Sequence, residues 1–214
     1  MNNGCMRVLG VDPAAAGPTG FGLVESDGRR CRMVHYEALK VAMKRQREFS
    51  GAVLQEVHKR VCRLIEEFSP DAIALESVFT ALNMRTALRL AEVRGVILLA
   101  AAQHGVAVSS YAPREVKASV AGHGHADKRQ IQLMVRALLA MREIPEPADA
   151  ADALAVALCH LQAVQARQRF GLPETTKLTR PQALRASAVS GGIKGNGLSG
   201  STTRAGISRI ELSR

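Results

Sequence analysis

Apolar residues recur along the first 160 positions in two alternating rhythms. The run Arg7-Val8-Leu9-Gly10-Val11-Asp12 is short, β-branched and stopped by Pro13, which predicts a strand. Gly20 to Val24 reads as a second strand, and Asp27-Gly28 as the hairpin turn into a third around Cys31 to Leu39. From about Arg47 to Phe68 the positions Val53, Val57, Val61, Leu64, Ile65 and Phe68 fall at helical spacing, and Ser69-Pro70 ends that helix. Asp71 to Leu75 reads as a buried fourth strand. A second helix is expected over about Met84 to Gln103, with Leu88, Val93, Ile97 and Leu98 on its apolar faces. Val106 to Tyr111 predicts a fifth strand, followed by short helices near Pro113 to Val120 and Asp127 to Met141. Pro145 and Pro147 open a last helix, since Pro suits a first turn. It turns Ala153, Leu154, Val156, Ala157, Leu158 and Leu161 inward.

Three strands in a meander, then strands separated by helices, predict an α/β fold with a mixed five-stranded sheet flanked by helices. Beyond about Arg167 no rhythm survives. Gly, Ser, Thr and Arg dominate Ser187 to Arg209, so residues 6–166 are expected to form the domain and 167–214 a disordered basic tail.

Composition narrows the class. Apolar residues make up 47% of the 214 positions, yet aromatics only 3% with no Trp, so aliphatic side chains must fill the core. No stretch reaches the roughly 18 apolar residues of a membrane-spanning helix, and no apolar secretory run follows Met1 to Arg7. A cytoplasmic protein without a membrane partner is expected. Cys5, Cys31, Cys62 and Cys159 lie far apart, which excludes a CxxC redox pair or zinc knuckle and suits reduced thiols. The net charge is +10, and from Leu161 onward nine Lys/Arg face two acids. The excess sits in the tail and points to a polyanion partner.

Four acids hold the candidate chemistry. Asp12 ends the first strand, Glu76 ends the fourth, and Asp149 and Asp152 stand three apart on one face of the last helix. A carboxylate at the end of a buried strand is costly unless its charge is compensated. Strands ending at one sheet edge would bring Asp12 and Glu76 together, and an adjacent helix would add the other pair. Such an all-oxygen cluster suits divalent magnesium or manganese. Taken singly, each acid could equally be a turn-former, a helix cap or a solvated side chain. Spacing alone leaves both readings open.

The chain resembles the RuvC family of Holliday-junction endonucleases, which have an RNase H-like fold. The matching segments are Leu9-Gly10-Val11-Asp12-Pro13 with Thr19-Gly20-Phe21-Gly22, Ala74-Leu75-Glu76-Ser77-Val78-Phe79, Arg94-Gly95, Val116-Lys117 and Ala148-Asp149-Ala150-Ala151-Asp152-Ala153-Leu154-Ala155. They are collinear over roughly residues 6 to 160. The resemblance implies that Asp12, Glu76, Asp149 and Asp152 are catalytic metal ligands. It also implies that Lys117 and Lys128 are basic groups near the scissile phosphate and that Phe79 stacks on a base. Asn83 and Arg85 fall among the expected DNA contacts, Arg85 standing in for the Lys that usually occupies the place of Leu82. Ala14 and Ala91-Glu92 also depart from the usual pattern.

On this reading two Mg2+ ions per site, about 3.5–4 Å apart and replaceable by Mn2+, activate water and support the 3′ leaving oxygen. The products carry 5′-phosphates. Two symmetric nicks in a four-way junction imply a twofold homodimer, with the helix from Met84 to Gln103 supplying Leu88, Leu99 and Ala100. Cooperation with the RuvAB branch-migration complex and association with the bacterial nucleoid are further implications of the resemblance. Two rivals share parts of the pattern: an RNase H-like nuclease acting on an RNA–DNA hybrid, and a non-catalytic nucleic-acid-binding module. An actin-like phosphotransferase would need far more chain.

Overall fold

A computed structural model describes residues 5–15, 17–40, 51–77 and 84–171. Its sheet contains β1 (Met6–Asp12), β2 (Thr19–Ser26), β3 (Cys31–Leu39), β4 (Ala72–Glu76) and β5 (Ala107–Tyr111) in the spatial order β3-β2-β1-β4-β5. The first three strands form the expected antiparallel meander, while β1–β4 and β4–β5 are parallel. Helices α1 (Gly51–Phe68) and α2 (Met84–Gln103) pack on one face. Helices α3 (Pro113–Ala121), α4 (Lys128–Leu138) and α5 (Ala148–Phe170) pack on the other.

Strand alternation sorts the core. Leu9, Val11, Phe21, Leu23, Ile73 and Leu75 point toward α1 and α2, whereas Val8, Val24 and Ala74 point toward α5. Both faces are covered, so these strands are nearly continuously apolar rather than amphipathic. On the α5 side the sheet is unusually bare. Gly10 pairs across the ladder with Gly22 on one side and lies beside Ala74 on the other. Into that flat strip fits α5, whose residues from Ala153 to Leu161 are all buried. Glycine weakens a strand, but it permits another backbone to approach closely.

Several expected boundaries move for identifiable reasons. Val106 lies between α2 and β5, because its N–H donates to the carbonyl of Ala101 (2.9 Å) after the left-handed Gly105. Asp127 precedes α4 as its N-cap, and that helix stops at Leu138 before Ala140, which has φ 50°. Helix α5 runs on through Phe170 to a left-handed Gly171, past the point where sequence rhythm faded. The larger correction concerns α2. Its sheet-facing stripe is Leu90, Val93, Ile97, Ala100 and Ala101, so Leu88 and Leu98 lie outside the core, 57% and 39% exposed. Ala100, expected at an interface, is fully buried against the sheet. Residues 47–50 of the expected first helix lie outside the described residues. So do most of the expected tail and Phe79, Leu82 and Asn83.

Candidate active site at the β1–β4 edge

Register brings the first two acids together. The parallel β1–β4 ladder ends on the pair Val11 and Leu75, which makes Asp12 and Glu76 the next pair along. Both also sit two residues beyond positions that face α5, Gly10 and Ala74. Period-two alternation therefore points both carboxylates toward that helix. Glu76 is held from behind, since the Tyr111 carbonyl accepts both the Ser77 N–H (2.8 Å) and the Ser77 hydroxyl (2.9 Å). Tyr111 is itself fixed, its hydroxyl lying 2.8 Å from Nδ1 of buried His160 on α5.

The first two turns of α5 deliver the other acids. Asp149 and Asp152 project from the same helical face, and one oxygen of each lies within 4.8 Å of an oxygen of Asp12. The four acids predicted to meet thus converge at one edge of the sheet. Asp12 and Glu76 share a hydrogen bond, so one of them carries a proton in the absence of a cation. Burial, followed by the Glu76 charge and by Asp152 and Asp149, drives the Asp12 carboxyl far above the ordinary aspartate range. Burial also raises Glu76 and Asp152.

Protein cations only partly offset this charge. Lys128 Nζ lies 3.1 Å from Asp152 Oδ2. Burial opposes the Lys128 charge, but Asp152, Asp149 and Asp12 together hold its ammonium above the usual lysine value. Lys117, on α3, lowers the proton affinity of Glu76 and Asp152 by its charge. Both lysines line one cleft of about 200 Å³ with Glu76 and Asp152. Lys128 occupies the first turn of α4, where a cation opposes the helix dipole. A reciprocal cap between Asp127 and Gln130 secures that turn: Asp127 Oδ1 accepts from Gln130 N (2.8 Å), and Gln130 Oε1 accepts from Asp127 N (3.0 Å). A cation held where the dipole disfavours it indicates a role in the cleft rather than in the helix.

The donor set fits a hard divalent cation. It offers carboxylate oxygens alone, those of Asp12, Asp149 and Asp152 within 4.8 Å of one another, with burial and mutual repulsion disfavouring the charged forms of Asp12 and Asp152. Arg85, a further expected DNA contact, lies exposed in the first turn of α2. Sequence reasoning missed Ser77, Asp127 and the bare strip of β1 and β2. The S/T/D-x-x-E/Q spacing of Asp127 and Gln130 was a legible signal for the cap.

The architecture and this edge can be set beside known proteins. A family model described as "Crossover junction endodeoxyribonuclease RuvC" matches residues 8–160. The chain belongs to the RuvC family. Relatives named crossover junction endodeoxyribonuclease RuvC include one from Koribacter versatilis, 45% identical over 73% of this chain and 92% of its own length. Another, from Chloroflexus aggregans, is 44% identical over 78% of this chain and 99% of its own. Among solved structures, T. thermophilus RuvC in complex with Holliday junction substrate superposes with a TM-score of 0.70 at 36% identity. That match covers 75% of this chain and 96% of the solved one. The RuvC assignment makes the protein an endodeoxyribonuclease of the Holliday junction resolvase class with an RNase H-like fold. The family implies divalent-metal use, and the chain has a carboxylate cluster that could hold a metal ion. Among the described residues no helix is long and apolar enough to cross a membrane.

Proposed function

We propose that the protein binds four-way DNA junctions and cuts them with Mg2+ at the edge formed by Asp12, Glu76, Asp149 and Asp152. The observation that supports this reading best is the convergence of four carboxylates whose charge two lysines only partly offset. These four acids would hold two Mg2+ ions, with Mn2+ able to replace them. When bound, the metal supplies charge neutralisation for the phosphodiester and for the water that attacks it. Asp12 and Glu76 give up their shared proton on loading. Lys128 and Lys117 line the same cleft as Glu76 and Asp152 and would stabilise charge building on the phosphoryl oxygens. Attack in line with the 3′ oxygen leaves a 5′-phosphate.

Phe79, Asn83 and Arg85 are the proposed DNA contacts around the crossover, Phe79 by stacking on a base. Symmetric paired nicks require two sites in fixed relation, hence a homodimer. The exposed Met84, Leu88 and Leu99 on α2 are the apolar side chains suited to that contact. Cooperation with RuvAB and work on nucleoid DNA in the cytoplasm complete the proposal.

The test is incubation with a synthetic four-way junction, a matched linear duplex and an RNA–DNA hybrid, each with and without Mg2+. Paired nicks with 5′-phosphate ends in the junction alone, and only with Mg2+, are expected. Preferential cutting of the hybrid would contradict the reading.

A further inference from the structure

We infer that Gly20 is a positioning residue for the metal ligands: its missing side chain sets how closely Asp149 can approach Asp12. Gly20 is the cross-strand partner of Asp12 in the β1–β2 ladder. It faces α5 together with Gly22 and Gly10. A Cβ placed on Gly20 would lie 1.9 Å from the carbonyl oxygen of Asp149 and 2.5 Å from its carbonyl carbon. Both atoms are backbone, so no rotamer change relieves the overlap. Reaching even 3.0 Å would require the first turn of α5 to retreat by about 1 Å, well beyond the roughly 0.5 Å within which a metal site keeps its geometry.

The other two bare positions act further along the helix. A Cβ on Gly22 would meet Leu154 N at 2.5 Å, and one on Gly10 would meet the Ala153 carbonyl oxygen at 2.0 Å. Overlap at Gly22 is milder and falls beyond Asp152. All three glycines seat α5, but Gly20 alone touches the backbone of an acid. A purely structural role would make Gly20 and Gly22 differ only in stability. A positioning role separates them in their response to metal.

This inference rests on the metal-nuclease reading, and the experiment tells the two apart. Thermal unfolding of the full chain is followed with increasing Mn2+, without DNA, for the parent, Gly20→Ala, Gly22→Ala and Gly51→Ala. Gly51 has open space around its Cβ position and serves as the control. Bound metal raises Tm by mass action without a plateau, so the Mn2+ concentration at which the rise sets in reports affinity. Gly20→Ala should shift that onset upward by about tenfold or more, the scale of an outer-sphere defect in a metal site. Gly22→Ala should unfold at lower temperature with an onset within about threefold of the parent, and Gly51→Ala should match the parent. Junction binding without metal should be retained in Gly20→Ala. The inference is overturned if Gly20→Ala keeps the parental onset, if Gly22→Ala shifts it equally, or if Gly20→Ala fails to fold while Gly51→Ala folds. A parent that shows no response to Mn2+ would instead sink the metal-nuclease reading.

Discussion

The β1–β2 ladder carries an acid at each end, and the two ends treat their charge in opposite ways. At one end Glu25, the ladder partner of Arg7, receives Arg7 Nη2 at 2.6 Å and Arg32 Nη2 at 2.6 Å. The two guanidiniums hold its carboxyl below the ordinary glutamate range. At the other end Asp12 faces three more carboxylates, and burial with their charges drives it above its range. The first end is complete without any other molecule. The second relies on a proton shared by Asp12 and Glu76 and on Lys117 and Lys128, a burden that an outside cation would relieve. An acid that the fold neutralises internally is scaffold, and an acid that it leaves charged beside its own kind is a site.

The largest effect expected from breaking this contrast is at Asp12. Asp12→Asn should lower junction cleavage by about 10³-fold or more, because it removes a ligand that several charges depend on. The same change should stabilise the metal-free protein near neutral pH, since Asn sits beside Glu76 without taking up a proton on folding. A gain of about 1 kcal/mol would raise Tm by roughly 2–4 °C in a chain of this size. Lower stability in Asp12→Asn without metal would show that the cluster is already neutral.

Lys128→Ala should come next, with turnover falling by about 10²-fold while metal-free junction binding changes little. An unchanged turnover number would confine Lys128 to its ion pair with Asp152.

Acidity separates the ends without mutation. The folded pKa values of Asp12, Glu76 and Asp152 are raised, so the folded state binds more protons than the unfolded one above the ordinary carboxylate range. Their contribution to stability is fully present below that range and is lost as pH rises through the raised values. Glu25 is lowered, so its contribution is present above the ordinary glutamate value of 4.5 and is lost as pH falls through its folded value. Metal-free unfolding measured across pH should show Asp12→Asn flattening the loss on the alkaline side and Glu25→Gln flattening the loss on the acidic side. Mg2+ should suppress the alkaline loss in the parent.

The smallest effect belongs to Glu25→Gln. Arg32 lies mostly in solvent and its share is screened, so denaturant titration should show a loss of about 1 kcal/mol. Cleavage should stay within about twofold of the parent, as expected for a change that touches no cluster residue. A large loss of cleavage would mean the two ends are coupled.

Much of this was legible beforehand because it depends on local rules. Short apolar runs such as the one closed by Pro13 marked the strands, Ser69-Pro70 marked the end of α1, and four acids at element ends marked the candidate site. Facing directions were harder to read. Helix α2 is apolar on more than one side, so nothing in its own residues decided that Ala100 would meet the sheet and Leu88 the solvent. The Arg7–Glu25–Arg32 cluster escaped notice because Glu25 meets its arginines only through strand pairing. Gly20 was visible as a motif letter, but its purpose is steric and involves a helix more than 120 positions away.

Calorimetric titration of the intact protein with Mn2+ near pH 7, in buffers of different ionisation enthalpy, tests the central claim most directly. The predicted result is saturable binding with release of protons from the Asp12–Glu76 pair, weakened severely in Asp12→Asn and unaltered in Glu25→Gln. Binding of equal strength in the parent and Asp12→Asn, or none in the parent, would contradict it.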